Sequence, residues 1–362
     1  MKNGRSYFLF CIMIFCSLNS LLGRKLYQEG EIPIVNNHKK PILIPGVSNK
    51  LNLEAVFSIG GSKSESKYYF QNILTIRVDD QENIYVLDGK ANEIKVFDKT
   101  GVYQRSFGRR GQGPGEFEHA NGMQITSDGE LLVSSFGAIN YFSLNGDFIR
   151  RKNILFWGIP VIDSEGNIIC ETTAPVKDRP NLMVSELKKF DRSLKPLFTI
   201  AKIETIFDPN IVEYYPPTLF YTVLKNDWVV WGNDSQYELT ILDRAGKIVE
   251  KIRKESEPIE LSAKEKDEIK KSKKPDLTYK IPDKYPAFQY ISHDENNRIL
   301  VRTFETDRAA DRFYDVFLPD GRYISKIILD SHPTFWKKGK LYCVKEDEQG
   351  YQWVKVYKAN WQ

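Results

Sequence analysis

Residues 76–88, Ile76-Arg77-Val78-Asp79-Asp80-Gln81-Glu82-Asn83-Ile84-Tyr85-Val86-Leu87-Asp88, place a β-rich run, a polar turn and a second β-rich run in a row. β-Branched and aromatic residues around a cluster of Asp, Gln, Glu and Asn mark an antiparallel hairpin. The polar turn and the strand behind it return at intervals of roughly 40–50 residues, the period expected of propeller blades. The turn 127–130 leads into Leu131-Leu132-Val133, and 163–167 into Ile168-Ile169-Cys170. The turn 225–227 leads into Trp228-Val229-Val230, 293–298 into Ile299-Leu300-Val301, and 337–340 into Leu341-Tyr342-Cys343. With the opening stretch, that makes six units.

Each unit continues in the same way. A second alternating strand such as Ile94-Lys95-Val96-Phe97 runs into a tight turn such as Asp98-Lys99-Thr100-Gly101, and a further strand such as 103–107 follows. Alternation ending in Asp-x-x-Gly is the pattern of half-buried antiparallel hairpins. The sixth unit stops after Val354-Lys355-Val356-Tyr357 without its fourth strand. At the other end of the chain, 53–61 (Leu-Glu-Ala-Val-Phe-Ser-Ile-Gly-Gly) repeats the character of 102–108 (Val-Tyr-Gln-Arg-Ser-Phe-Gly). Borrowing that strand closes the ring and leaves no open edge. The expectation is an all-β, six-bladed β-propeller over 51–362, closed by an N-terminal strand completing the last blade.

The residues ahead of the propeller read differently. Lys2 and Arg5 precede an unbroken apolar run from Tyr7 to Cys16, then small and polar residues to Gly23. This is the layout of a signal peptide over 1–23, and the run is short of the ~20 residues of a membrane span. We therefore expect a periplasmic or extracellular protein, membrane-bound only if the segment stays uncleaved. Residues 24–50, polar and broken by Pro33, Pro41 and Pro45, read as a tether. Of the four cysteines, Cys170 and Cys343 lie beyond the signal, in opposite blades and at positions where other units carry Val. They read as buried free thiols.

Composition excludes some partners. The chain has 52 basic and 48 acidic residues, and removing Lys2 and Arg5 leaves a net charge of +2. That is no footprint for nucleic acid.

Four stretches of blade 1 carry a family signature. They are Ile76-Arg77-Val78-Asp79-Asp80, Asn83 to Asp88, Asn92 to Asp98, and Phe107-Gly108-Arg109-Arg110-Gly111-Gln112-Gly113-Pro114-Gly115-Glu116-Phe117. Together they resemble the NHL repeat, and in particular the NHL-repeat-like six-bladed β-propeller family of exported bacterial proteins. The resemblance is strong over the first two blades and decays to a hydrophobic pattern beyond. It departs at Asn121-Gly122-Met123, where the family often has a proline. It implies the fold and no single activity, since such relatives include sensors, protein-binding modules, RNA binders, lyases and lactone hydrolases.

Blade topology sorts the connections onto two faces. The a–b and c–d turns, all short, lie on one. The b–c loops and d-to-a connectors share the other, and every long segment belongs to this second class: 60–69, 108–119, 173–184, 202–217, 254–287 and 305–312. Irregular loops on a rigid scaffold are where function concentrates. The candidate ligand-binding residues there are Arg109, Arg110, Arg308, Arg312, Tyr214 and Tyr215, since Arg and Tyr anchor most interfaces. The Gly-rich 108–117 could cradle an anion, yet it lacks the Gly-Lys-Ser/Thr of a phosphate loop and also reads as a plain connector. Within a helical insertion at about 254–283, Ser262-Ala263-Lys264-Glu265 is a capping box that predicts a helix from Ala263 to about Ser272.

His293 falls in an a–b turn, on the face opposite the candidates, whereas His119 and His332 stand near the starts of first strands. A zinc site on those two is the weaker reading, so neither a metal nor a cofactor is expected. No catalytic residue is assigned. The function expected is a non-catalytic, monomeric binding or scaffold module for a protein, peptide or glycan ligand on the long-loop face. The alternative is a hydrolase or lyase at the channel mouth.

Overall fold

The computed structural model describes residues 25–29, 32–271, 274, 276–306, 312–329 and 334–362. The signal reading of 1–23 lies outside them. Three strands come first: β1 (Lys25–Glu29), β2 (Ile32–Asn37) and β3 (Leu51–Ile59). Blade 1 holds β4 (Ile73–Val78), β5 (Ile84–Asp88), β6 (Glu93–Phe97) and β7 (Tyr103–Phe107). Blade 2 holds β8 (Ala120–Ile125), β9 (Glu130–Ser135), β10 (Ala138–Ser143) and β11 (Phe148–Asn153). Blade 3 holds β12 (Trp157–Ile162), β13 (Ile168–Val176), β14 (Arg179–Phe190) and β15 (Pro196–Ile206).

After a short β16 (Ile211–Glu213), blade 4 is β17 (Leu219–Val223), β18 (Val229–Asn233), β19 (Glu238–Leu242) and β20 (Ile248–Lys254). The insertion carries α1 (Ala263–Lys271) and β21 (Thr278–Lys280), which pairs in parallel with β16. Blade 5 is β22 (Tyr290–His293), β23 (Ile299–Arg302), β24 (Phe313–Phe317) and β25 (Tyr323–Ile328). Blade 6 is β26 (Thr334–Lys337), β27 (Lys340–Glu346), β28 (Gln352–Trp361) and, as its outer strand, β3. The chain is an all-β six-bladed propeller. Its ring closes where the sequence placed the closure, β3 pairing antiparallel with β28 from Ile59↔Val354 to Leu51↔Trp361.

The hydrophobic pattern explains the layers. The second and third strands are buried on both faces (β5 throughout, β6 in four of five residues), while the outer β7 alternates half-buried and exposed residues. Six apolar clusters fill the seams between neighbouring blades. At the closing seam, Ile59, Val354 and Tyr342 of blade 6 meet Ile73, Ile76 and Phe97 of blade 1. Each such side chain, once buried, contributes roughly 1.5–3 kcal/mol.

Both cysteines are free and buried, and burial pushes the Cys170 thiol up to about 12. The α1 capping box is reciprocal. The Glu265 amide donates to Ser262 Oγ at 3.2 Å, and the Ser262 amide donates to Glu265 Oε2 at 2.8 Å.

Two segments differ from their sequence readings. Residues 24–50, read as a tether, hold β1 and β2, and β2 adds in parallel to the outer edge of blade 4. Ile34 and Val35 are buried there. Asn37 bonds the Gly321 carbonyl at 2.9 Å, the Ile42 amide bonds the Tyr323 carbonyl at 2.9 Å, and Ile44 and Val47 pack into the blade 5–6 seam. The stretch is thus a strap across the rim of blades 4, 5 and 6. Its alternation over Ile32-Pro33-Ile34-Val35 was masked by the prolines around it.

Residues 173–184, read as a loop, are instead the arm of a hairpin. β14 runs twelve residues where β6 runs five, and β15 accompanies it to Ile206.

The Asn121-Gly122 departure has a structural role at the axis. Asn121 Nδ2 donates to the Gly158 carbonyl at 2.9 Å. A Cβ on Gly122 would stand 2.5 Å from Ile159 Cγ2, so only glycine lets the first strands of blades 2 and 3 approach this closely.

Candidate functional site

The two faces of the disc are built from different chemistry. On the short-turn face, aspartates cap the turns: the Asn83, Asn167 and Arg298 amides donate to Asp79, Asp163 and Asp294 at 2.8, 2.9 and 2.9 Å. Such Asx-type turns explain why Asp opens so many of these turns. Polar ties then run from blade to blade around the ring. Arg105 donates to the Leu144 carbonyl (blades 1 and 2) at 2.5 Å, and Ser127 to the Ser164 carbonyl (2 and 3) at 2.6 Å. The Ser164 amide donates to Asp227 (3 and 4) at 2.8 Å, and the Lys225 amide to Asn297 (4 and 5) at 2.8 Å. The Gly339 amide donates to Glu295 (6 and 5) at 2.5 Å, and Lys340 pairs with Glu82 (6 and 1) at 2.6 Å. All six seams are crossed, so this face works as a polar belt.

The long-loop face carries, among its charged groups, several exposed apolar and aromatic side chains. Phe136, Leu155, Ile206, Phe207 and Tyr215 are 66, 55, 73, 57 and 39% exposed, and all lie at its b–c loops or d-to-a connectors. The connector of blade 3, the insertion and the b–c loop of blade 5 meet in one aromatic cluster. Tyr285 stacks on Phe304 at 4.5 Å, and Tyr215 meets both edge-on at 5.2 and 5.6 Å. Tyr214 lies 6.3 Å from Tyr279. The cluster is braced from below, with Tyr285 Oη donating to Glu265 Oε1 of α1 at 2.5 Å. Burial, with Glu265 second, raises the Tyr285 hydroxyl well above its ordinary range, and the Ser262 bond holds Glu265 low.

Of the sequence candidates, Tyr214 and Tyr215 sit in this cluster. Arg312 closes the loop that carries Phe304, its carbonyl accepting from the Leu329 amide at 2.9 Å. Arg308 lies outside the described residues. Arg109 and Arg110 stand apart, in the blade 1–2 connector. Arg109 pairs with Glu116 at 2.7 Å and Arg110 with Glu118 at 3.2 Å, both arginines well exposed. The Glu116 carboxylate also accepts the Gly113 amide at 2.9 Å, so it occupies the cradle that an anion would need. The glycine-rich loop is a connector closed on itself.

His119 is exposed at φ 52°, and His332 lies outside the described residues. Among the described residues, no three His, Cys, Asp or Glu side chains gather as metal ligands. None of the helices among them is long and apolar enough to cross a membrane.

Sequence reading named the channel mouth only as an alternative site and none of the side chains that line it. A cavity of about 520 Å³ runs between the first strands, walled by Arg77, Gln124, Ile159, Tyr221, Tyr290 and Phe335 among others. A second cavity, about 630 Å³, opens among the short turns and shares Arg77, Gln124, His293 and Phe335 with the first. His293 ends β22 and lines both, with its Nδ1 3.0 Å from Thr222 Oγ1. Burial, then Lys225 and Arg77, press its imidazole down to about 4. The available signal was a charged residue in a first strand, Arg77 between Ile76 and Val78, where one face must look into the axis.

Residues 63–169 match the family described as 6-bladed beta-propeller, DUF5128. No curated protein matches the chain in sequence. Among solved structures, a Bacteroides fragilis protein described as a candidate exported protein is similar at 10% identity with TM-score 0.58, over 91% of this chain and 99% of that one. A DUF4221 member from Bacteroides vulgatus is similar at 13% identity with TM-score 0.52, over 87% and 100%. Virginiamycin B lyase of Staphylococcus aureus is a looser likeness, 11% identical with TM-score 0.46, over 85% and 99%. At these identities the likeness to the two Bacteroides structures is one of fold alone.

Proposed function

We propose that the chain is an exported, non-catalytic binding propeller of the NHL-repeat-like kind, and that a protein or peptide partner docks on its long-loop face. The observation that carries this reading is the segregation of surface chemistry. Exposed Phe136, Leu155, Ile206, Phe207 and Tyr215 lie at the loops of one face, while the other carries a polar belt with Val102 exposed in one of its turns. An exposed apolar patch rimmed by polar groups is the usual mark of a partner site. The Tyr215–Tyr285–Phe304 cluster adds rigid aromatic anchors, which cost little entropy on binding. A glycan is a second ligand class, supported by the neighbouring rings of Tyr214 and Tyr279.

Export rests on Lys2, Arg5 and the apolar run to Cys16, and the Bacteroides fragilis likeness is compatible with it. The reading of a hydrolase or lyase at the channel mouth finds His293 there. Its Nδ1 is already engaged by Thr222, a tie between blades 4 and 5.

A photo-crosslinking residue placed at Phe207 and, separately, at Lys99 tests the proposal in the native host. Partner adducts from position 207 alone are expected. Adducts from position 99 alone would overturn it.

A further inference from the structure

The geometry points to a second site, in the axial channel, that takes a small organic acid: its carboxylate on Arg77 and its apolar body against Phe335, Tyr221 and Ile159. Arg77 projects from β4 into the cavity, where its Nε donates to Gln124 Oε1 at 3.0 Å and its Nη1 to the Ile76 carbonyl at 2.7 Å. Its guanidinium lies over the Phe335 ring, 5.0 Å from the centroid. Neither oxygen partner carries charge. Among the described residues no carboxylate stands within ion-pair distance of Arg77, although several other charged groups near the channel mouth are paired. Lys337 bonds Asp80 at 2.8 Å, Lys225 faces Glu295 at 3.6 Å, and Arg298 bonds Asp294 at 2.9 Å. A guanidinium in a confined site without a counter-ion is costly, and a planar carboxylate matches its remaining donors.

Ser292 and Trp336 also belong to this wall, although the Ser292 hydroxyl and the Trp336 indole N–H are themselves buried out of reach of the cavity. A wall with a cation that has no counter-ion selects an anion. The rest of it is aromatic and aliphatic, and Ile159 keeps 39% of its surface open to the channel. Among the described residues the wall holds Asp294 and Glu295 at the turns and, away from them, Glu171, which pairs with Trp157 at the opposite, long-loop end of the first strands and is pushed up by burial. At about 520 Å³ the cavity suits a ligand of a ring and a short chain, and the adjoining cavity of about 630 Å³, walled in part by Asp79, Asp80, Asp128, Asp163 and Asp227, opens among the short turns. Docking on the long-loop face is not required for this site to work.

The test uses the full chain with benzoate, its neutral isostere benzamide, inorganic phosphate and 4-bromobenzoate as probes. A crystal soaked with 4-bromobenzoate is expected to place the anomalous bromine signal in the channel beside Phe335, with the carboxylate on Arg77. A bromine found only elsewhere would overturn the site. In solution, benzoate at concentrations on the order of 10 mM should shift the Arg77 Nε–H resonance and raise the melting temperature, and benzamide should do neither. Arg77→Gln should weaken benzoate about tenfold or more. Unchanged affinity in that variant would contradict the proposal, as would phosphate binding without benzoate binding. If Arg77→Gln does not fold, the soak and the wild-type resonance decide alone.

Discussion

The Tyr323 backbone amide donates to Asn37 Oδ1 at 2.8 Å, joining residues 286 positions apart. The same Asn37 side chain donates to the Gly321 and Arg253 carbonyls at 2.9 and 3.2 Å. One amide thus fastens the N-terminal strap to the outer strands of blades 4 and 5. Asn37→Ala leaves those buried backbone groups unpaired and should cost about 1–3 kcal/mol. Deleting residues 25–37 should cost more, because Ile34 and Val35 are buried as well. Denaturant melts of both variants check this, and a melt indistinguishable from wild type would show the strap to be ornamental.

The closing strand predicts a sharper failure. Without residues 51–59, β28 becomes a bare hydrophobic edge beside Val354 and Val356, both buried in the intact blade. Open edges template aggregation. Size-exclusion chromatography of the deletion should show aggregate or no soluble protein, whereas a soluble, monodisperse product would contradict the closure.

His293 gives the channel a pH signature. Its imidazole titrates at about 4 instead of the ordinary 6.5, driven by burial and then by Lys225 and Arg77. A depressed value means that the unfolded chain takes up the proton first. The stability is therefore present in full above pH 6.5 and is lost as pH falls toward 4. The loss should be on the order of 2 kcal/mol relative to His293→Gln, which removes the titration. Urea melts of both proteins at pH 7 and pH 4.5 measure the difference. A gap between wild type and variant that does not change with pH would refute it.

Much of the fold was legible because a propeller repeats its signals. Each seam needs the same apolar pair of strands, and each turn the same Asp and Gly, so six weak patterns reinforce one another. Even the borrowed strand was readable, since 53–59 copies 103–107. The strap was not, because Pro33, Pro41 and Pro45 suggest an extended linker and a parallel edge pairing leaves no local trace. Of the candidate site, loop lengths alone set apart the long-loop face. The cluster was not, because Phe304, Tyr285 and Tyr215 come from three connectors whose meeting depends on how the insertion folds back. The pairing of the arginines at 109 and 110 was hidden for a related reason. Their acid partners, Glu116 and Glu118, sit a few residues on, and only the closed loop brings them together.

On the proposed function the two faces divide the work, one closing the ring and the other binding. The most direct measurement is the affinity of the partner captured at Phe207 for two sets of alanine variants. Phe207→Ala and Tyr215→Ala should weaken binding about tenfold or more, as aromatic anchors do. Lys99→Ala, Asn145→Ala and Asp320→Ala, in the short turns, should leave it within about twofold. Loss of binding from the short-turn set, with the aromatic set unaffected, would contradict the claim.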